Sequence, residues 1–482
     1  MGLFSRYRGL GFCEFSEGGE ARPHYRPLAD RLDSFHPDEL TARVSMLEGI
    51  FRRQGITFAV YGSEEGVERT WPLDPIPRII PADEWGHVER GLTQRVRALN
   101  AFLEDLYVGE QAALNDGVVP RWLIESASGY LPQAHGVGVT DGSRCVISGI
   151  DIVRDGTGTY RVLEDNLRVP SGISYVVENR LAMTRVLPVA FARYRVRPVG
   201  HYGASLLRTL RRIAPRGVSD PTVVVLTPGV FNSAYYEHAF LARQMGAELV
   251  EGRDLVVEDQ VVYLRTTHGL SRVDVIYSRV SDEFLDPVVF RNNSVLGVPG
   301  LMSAVRSGTV SLANAVGNGV ADDKGVYPFV PEMIRYYLGE EPIVPNVETY
   351  LPWDPDQLEV LLDRIGDLVV KPVAEAGGYG IVIGPRATAR ELEATAEAVR
   401  ANPRGYIAQE VVQLSTHPTV VDGGFAPRHI DLRPFILAAG DEIEVIPGGL
   451  TRVAMREGSL IVNSSQGGGS KDTWVLVPES GG

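Results

Sequence analysis

Three side chains that end in hard oxygen donors, Asp151, Glu164 and Asn166, stand in one short stretch, IDIVRDGTGTYRVLEDNLRVPSGISY, from Ile150 to Tyr175. Ile150, Ile152 and Val153 favour a strand, RDGTG favours a tight turn, and Tyr160, Val162 and Leu163 favour a second strand, so the stretch reads as a hairpin. Asp151 sits on the first strand, Glu164 ends the second, and Asn166 follows two residues later. The period-two alternation of an extended chain then puts Glu164 and Asn166 on one face. Two carboxylates and one amide oxygen make an incomplete all-oxygen ligand set, which is what Mg²⁺ shared between protein and nucleotide phosphates requires. Taken alone, the same residues also describe solvated side chains at the edges of a hairpin.

About 200 residues downstream, DLVVKPVAEAGGYGIVIG carries an apolar run ending in Lys371, a glycine-rich turn at Gly377, Gly378 and Gly380, and a second apolar run. Backbone N–H groups of such a turn can close around phosphate oxygens, and a lysine beside it adds a point charge. An ordinary hairpin turn is the plainer reading of the glycines. Next come YIAQEVV, a strand with Gln409 and Glu410 and ending at Val412, and RHIDLRPFIL, with Arg428, Asp431 and Arg433. LTRVAMREGSLIVNSSQGGGSKDTW follows, with Arg452, Asn463 and the run Gly467 to Gly469. Lys324 opens a helix just after Asp322 and Asp323.

The run EDNLRVPSG resembles the closing magnesium motif of ATP-grasp ligases, with Glu164, Asn166, Pro170 and Gly172 in matching places and Asp151 on the strand before. In the usual order that motif comes last, and here it comes first, which suggests circular permutation. From about residue 20 to 475 the chain is similar to the circularly permuted ATP-grasp proteins of the type 2 group, distant relatives of glutathionylspermidine synthetases. RVLEDNLRVPSGISYVVENR, NAVGNGVADDKGVYPFVPEMIRYYLGEEPIVPNVETY and PGGLTRVAMREGSLIVNSSQGGGSKDTWVL carry the resemblance. The resemblance implies Mg²⁺ on Asp151, Glu164 and Asn166, and ATP phosphates on Lys324, Lys371 and the Gly377, Gly378 and Gly380 loop. It further implies adenine read at the Gln409–Glu410–Val412 hinge, ribose and phosphate contacts for Asp431 and Arg433, and transferring-phosphate contacts for Arg452 and Asn463. The activity implied is an ADP-forming carboxylate–amine or carboxylate–thiol ligase working through an acyl phosphate on an amino acid or peptide. A phosphotransferase and a non-catalytic nucleotide-binding subunit are the alternatives. An α-helical companion protein and a transglutaminase-like protein are the implied partners.

The elements that must position these residues divide the chain into four parts, and the expected class is α/β (α+β), a permuted ATP-grasp fold. Residues 1–125 read as an arm and helical segment, with helices from Pro37 to Arg53 and from Asp83 to Leu106, the latter's arginines on a solvated face. Residues 126–200 hold the magnesium hairpin and a helix from Tyr175 to Tyr194. Residues 201–315 turn to an α/β texture: TVVVLTPG is a buried-type strand, and Asn232 and Ser233 cap the helix after it. That part resembles the Rossmann-like pre-ATP-grasp lobe, whose helix N-terminus makes Asn232, Ser233 and Tyr235 candidate substrate contacts. Residues 316–482 hold the lysines, the glycine loop and the hinge. If one nucleotide serves all these groups, the hairpin and the strands from Leu368 and Ile430 should share one antiparallel lobe.

At 482 residues the chain is too long for one core, and its net charge of −14 disfavours nucleic acid as the main partner. Two cysteines, Cys13 and Cys145, carry no zinc spacing and read as reduced thiols. No apolar stretch is long enough to span a membrane, so a cytoplasmic protein is expected.

Overall fold

The computed structural model describes residue 4 and residues 7–59, 68–373, 380–421, 424–462 and 467–478. Its centre is a nine-stranded sheet. The path runs Glu442–Val445, Phe435–Ala439, Ile147–Arg154, Gly424–Arg433, Leu450–Val453, Gly469–Val475, Leu73–Ile80. Tyr160–Asn166 pairs with Ile147–Arg154, and Thr416–Val421 with Gly424–Arg433. Every pairing is antiparallel except the last on the path, where Leu73–Ile80 runs parallel to Gly469–Val475. Residues more than two hundred apart in sequence thus meet as neighbours, as when Ile152 faces Leu432. The strand Leu73–Ile80 comes from the part read as an arm, so that part contributes directly to the central sheet.

A second layer explains why the hairpin is held still. The helix expected from Asp83 to Leu106 runs Ala82–Tyr107, with Asp83 and Glu84 in its first turn, where acidic groups suit the helix dipole. Its buried stripe includes Trp85, Val88, Leu92, Val96, Leu99 and Leu103. Arg95 departs from the solvated face expected for it. It is buried and grips Asp165 with Nε at 2.7 Å and Nη2 at 2.6 Å. A buried charge needs such a partner, and the pair uses the strand residue that points away from Glu164 and Asn166. The helix expected from Tyr175 to Tyr194 is two helices, Ile173–Val186 and Pro188–Arg193. Pro188 lacks the N–H that a continuous helix would need.

A separate parallel sheet, ordered Ser311–Ala313, Val275–Ser278, Val223–Leu226, Glu248–Val250, forms the Rossmann-like part. Two polar devices fasten it to the hairpin. Asn314 receives the amides of Val146 and Ile147 at 2.7 and 2.8 Å and donates to the carbonyls of Ile147 and Leu167 at 2.6 and 2.8 Å. Glu237 pairs with Arg279 at 3.2 Å and accepts from the amides of Gly172 and Ser174 at 2.8 and 3.1 Å, at the start of helix Ile173–Val186.

A third, four-stranded antiparallel sheet contains Thr349–Tyr350, Tyr406–Glu410, Leu368–Pro372 and Val382–Ile383. The Leu368 strand therefore does not share a sheet with the hairpin, contrary to the single lobe expected. The reason is in its covering: it packs Leu368 and Val370 against Leu361, Val399 and Ala408, a small core of its own. Among the described residues no helix is long and apolar enough to cross a membrane.

Candidate active site

Asp151 and Glu164 are direct cross-strand partners in the hairpin, so their side chains rise from the same face. The pairing register shifts between Asp151 and Ile152, a bulge at the edge of the site. Asn166, two residues beyond Glu164, faces the same way, and its Nδ2 is buried without a hydrogen-bond partner. The three predicted metal ligands are thus brought together.

The sheet supplies the counter-charges. Arg433 donates from Nε and Nη2 to the two oxygens of Asp151 at 2.5 and 2.8 Å. Arg452 donates from Nη2 to Asp151 Oδ2 at 2.7 Å, while its Nε reaches both oxygens of Asp431 at 2.9 and 3.0 Å. Asp431 and Arg452 are themselves cross-strand partners. Burial would push the Asp151 carboxyl up, but Arg433 and then Arg452 hold it well below the usual carboxylate range. Glu164 goes the other way, because its nearest guanidinium nitrogen, Arg433 Nη2, is 3.8 Å away. Burial and the Asp151 charge raise its carboxyl above the usual value.

Lys371 closes the arrangement from the third sheet. It is buried and donates from Nζ to Gln409 Oε1 at 2.5 Å. Burial pushes its ammonium down to about 8, with the positive charge of Lys324 adding to that and the charges of Glu164 and Asp151 opposing it. Lys371, Lys324, Glu164 and Asp151 therefore act on one another electrostatically, although three different parts of the chain deliver them. Lys324 lies in the turn before the short helix Tyr327–Phe329.

Several of the predicted contact residues are engaged by other protein groups. Asp431, expected on ribose or phosphate, is buried with both oxygens taken by Arg452, so it brackets that arginine. Gln409 turns its side chain to Lys371 and to Thr349 Oγ1 at 3.1 Å. The Glu410 carboxylate is engaged by Arg364 at 2.7 and 3.0 Å and by Tyr350 at 2.6 Å, and its amide donates to the Glu348 carbonyl. The Val412 amide makes no hydrogen bond among the described residues. Gly380 adopts φ +69° in its turn. Gly377, Gly378 and Asn463 lie outside the described residues. Helix Tyr235–Met245 has Ala234 at its cap, without a side-chain bond, and Asn232 accepts from the Ala234 amide at 2.9 Å. His135 bonds Tyr130 at 2.7 Å, a local contact.

Two supports escaped the sequence reading. Glu14, from the arm, pairs with Arg78 at 2.6 and 2.8 Å, and Arg78 Nη1 reaches the Asp431 carbonyl at 3.1 Å. Asp322 accepts from the Leu167 amide at 2.5 Å and from Arg168 Nε at 2.8 Å, tying the Lys324 loop to the end of the hairpin. A lone glutamate in an arm without periodicity gives no signal, whereas paired aspartates beside a lysine, ADDK, do.

The donor set suits a divalent ion. Among the described residues no N–H group donates to the side-chain oxygens of Glu164 or Asn166, and the guanidinium nitrogen nearest Glu164, Arg433 Nη2, stands 3.8 Å away, so these oxygens remain available to a cation. Asp151 would share itself between such an ion and two arginines.

Comparison with known proteins identifies the family and the fold. The family model described as circularly permuted ATP-grasp type 2 matches residues 77–454. An uncharacterized protein of Synechocystis is 54% identical over 462 residues, covering 96% of each chain. One from Mycobacterium tuberculosis is 55% identical over 466 residues, covering 97% of this chain and 84% of its own. A Frankia alni protein provisionally named glutamate–cysteine ligase 2-3 is 48% identical over 475 residues, 98% of this chain, which spans only 54% of that protein. Among solved structures, a glutathione synthetase-like effector of Globodera pallida in its apo form aligns with a TM-score of 0.57 at 10% identity. It covers 92% of this chain and 98% of its own, a likeness of fold.

Proposed function

Because the chain belongs to the circularly permuted ATP-grasp type 2 family, we propose that it is an ATP-dependent ligase that joins a carboxylate to an amine or a thiol through an acyl phosphate. The observation that supports this reading is that Glu164, Asp151 and Lys324 all act electrostatically on the buried Lys371 while Asp151 and Glu164 pair across the hairpin, a combination of cations suited to phosphate and carboxylates suited to Mg²⁺. The provisional ligase names of the Frankia relatives support the bond-forming class, though they describe proteins about twice as long as the stretch matched.

In this reading Glu164 and Asn166, with a free lone pair of Asp151, hold Mg²⁺, which when bound neutralises phosphate charge. Lys371, oriented by Gln409, and Lys324 take phosphate oxygens. Arg433 and Arg452 are fixed by Asp151 and Asp431 before substrate arrives, and Arg452 Nη1 makes no hydrogen bond among the described residues. Donors fixed in advance at the place where charge develops are what transfer of a phosphoryl group to a carboxylate needs. The substrate carboxylate attacks the γ-phosphorus, ADP leaves, and an amine or thiol displaces phosphate from the acyl carbon. No protein nucleophile is involved.

The test is release of ADP and phosphate from MgATP across pooled amino acids and small peptides. A ligase needs an acid and an amine or thiol together. Turnover with a single acceptor would mark a phosphotransferase, and no turnover with any pool would mark a non-catalytic subunit.

A further inference from the structure

Beside the residues assigned above lies a polar cluster that they do not use, built on the tract Gly317–Asn318–Gly319. Arg168 follows the hairpin two residues after Asn166, just past the buried Leu167. Its side chain is 48% exposed, and Asp322 fixes it through Nε alone, at 2.8 Å. Both terminal nitrogens of this guanidinium make no hydrogen bond among the described residues, so the fork that matches a carboxylate stands open. The stem lies against Gly319, where a Cβ would come within 2.9 Å of Arg168 Cδ.

On the other side of the same tract, Asp282 follows the carboxyl end of strand Val275–Ser278, the edge at which open parallel sheets bind ligands. Its Oδ2 accepts from the Gly317 amide at 2.9 Å, and its Oδ1 makes no hydrogen bond among the described residues. Gly317 is itself constrained, at φ +92°, with a Cβ that would meet the Tyr107 ring at 2.7 Å. Burial pushes the Asp282 carboxyl up to about 6, with Glu283 and Asp322 adding to that and Arg168 opposing it. Of the carboxylates that act on this guanidinium, Asp322 is paired with it, whereas neither Asp282 nor Glu283 makes an ion pair with it among the described residues. Asn318, between the two glycines of the tract, is buried and donates from Nδ2 to the Arg144 carbonyl at 3.0 Å, and its Oδ1 has no partner among the described residues.

We propose that Arg168 and Asp282 form the acceptor subsite and that its ligand is an α-amino acid, with the carboxylate on the Arg168 fork and the amino group beside Asp282. This deepens the ligase reading and rests on it for the fate of the bound amine. An open guanidinium fork on the same tract as a carboxylate with one open oxygen is complementary to a small zwitterion, and to neither an acid nor an amine alone. Asn166 lies two residues before Arg168 and Lys324 two residues after Asp322, and Asp322 ties both segments together, so the Arg168 end of the subsite borders the proposed phosphate site in sequence and in hydrogen bonding.

The test is calorimetric titration of the full chain, without nucleotide, with the free amino acids one at a time, and with the decarboxylated and N-acetylated forms of any that bind. At least one free amino acid should bind, and loss of either charge from the ligand should weaken it by about tenfold or more. Arg168→Lys, which keeps the charge and the reach to Asp322 but not the fork, and Asp282→Asn should each weaken the amino acid by about tenfold. Binding of a fluorescent MgATP analogue to both variants should stay within about twofold of wild type, which also reports that they fold. The proposal is overturned if no amino acid binds, if the decarboxylated amine binds as tightly, or if both variants match wild type. Failure of the ATP analogue to bind wild type would instead overturn the ligase reading, and the amino-acid titration stands apart from it.

Discussion

The two walls of the proposed nucleotide gap are built in opposite ways. On the nine-stranded sheet, Asp151, Asp431, Arg433 and Arg452 bind one another through ion pairs that cross three strands, and Arg78 and Glu14 brace them from behind. On the small four-stranded sheet, the Lys371 ammonium makes one hydrogen bond among the described residues, to Gln409. The first wall is already neutralised, so its charges keep their places without a ligand. The second holds a buried cation that burial disfavours and that a phosphate would stabilise. Substrate contact is therefore expected to change the Lys371 side most, and the arginine side least.

The largest effect that tests this contrast concerns the two facing carboxylates. Glu164→Gln should lower turnover by at least about a hundredfold, the scale of losing one preorganised electrostatic contact. Its apo stability should hold or rise, because the ionised carboxylate is disfavoured by burial and by Asp151. Asp151→Asn should lose activity to a similar degree and also lose stability, by about 3 kcal/mol, because the largely buried Arg433 guanidinium would lose its bidentate partner and Arg452 one of its two. Urea unfolding of both variants separates the cases. Equal stability would mean that the arginine wall is not prepaid in the way described.

Those carboxylates were legible because the hairpin puts local spacing and alternation to direct use: the register that pairs Asp151 with Glu164 follows from the turn between them. The long helix and the parallel sheet were legible for the same reason, since periodicity is a local signal. What escaped was pairing at a distance. Nothing near Asp431 says that it will bracket Arg452 or that Arg95 will be buried on Asp165, because both facts depend on which strand lies next to which. Separation of the Leu368 strand into its own sheet was missed for that reason too. A shared ligand argues for proximity, and two facing sheets satisfy proximity as well as one does.

The small wall makes its own prediction with pH. Lys371 titrates near 8 in the folded chain, below the ordinary lysine value of 10.5 that an unfolded chain would show. Below pH 8 it is charged in both states, and the folded state bears the cost of burying it. Between about 8 and 10.5 the unfolded state binds more protons, so this group adds stability as pH rises through that window. Phosphate binding has the opposite sign, since the charged form is needed, and MgATP-analogue affinity should fall above pH about 8. In Lys371→Met both slopes should flatten, affinity should drop at pH 7, and stability there should hold or increase. Titration of affinity and of urea midpoint from pH 6.5 to 10 checks all four statements.

The smallest effect concerns Gly380, which tests whether the turn on the Lys371 side is shaped by its backbone or by a ligand. Its φ of +69° is a conformation that side chains adopt reluctantly, and a Cβ there would meet Pro372 Cγ at 2.8 Å. Pro372 follows Lys371 on the same strand, so the ring cannot yield without moving the lysine's neighbour. Gly380→Ala should therefore cost about 1 kcal/mol of stability, the scale of placing a side chain in the left-handed region. It should also weaken the MgATP analogue by a few-fold through Lys371, with affinity on the arginine wall's side unchanged: Glu164→Gln should have the same relative effect in either background. A stability loss with unaltered nucleotide affinity would show that the glycine serves the turn alone. A double variant whose effects fail to add would show that the two walls respond to the nucleotide as one unit.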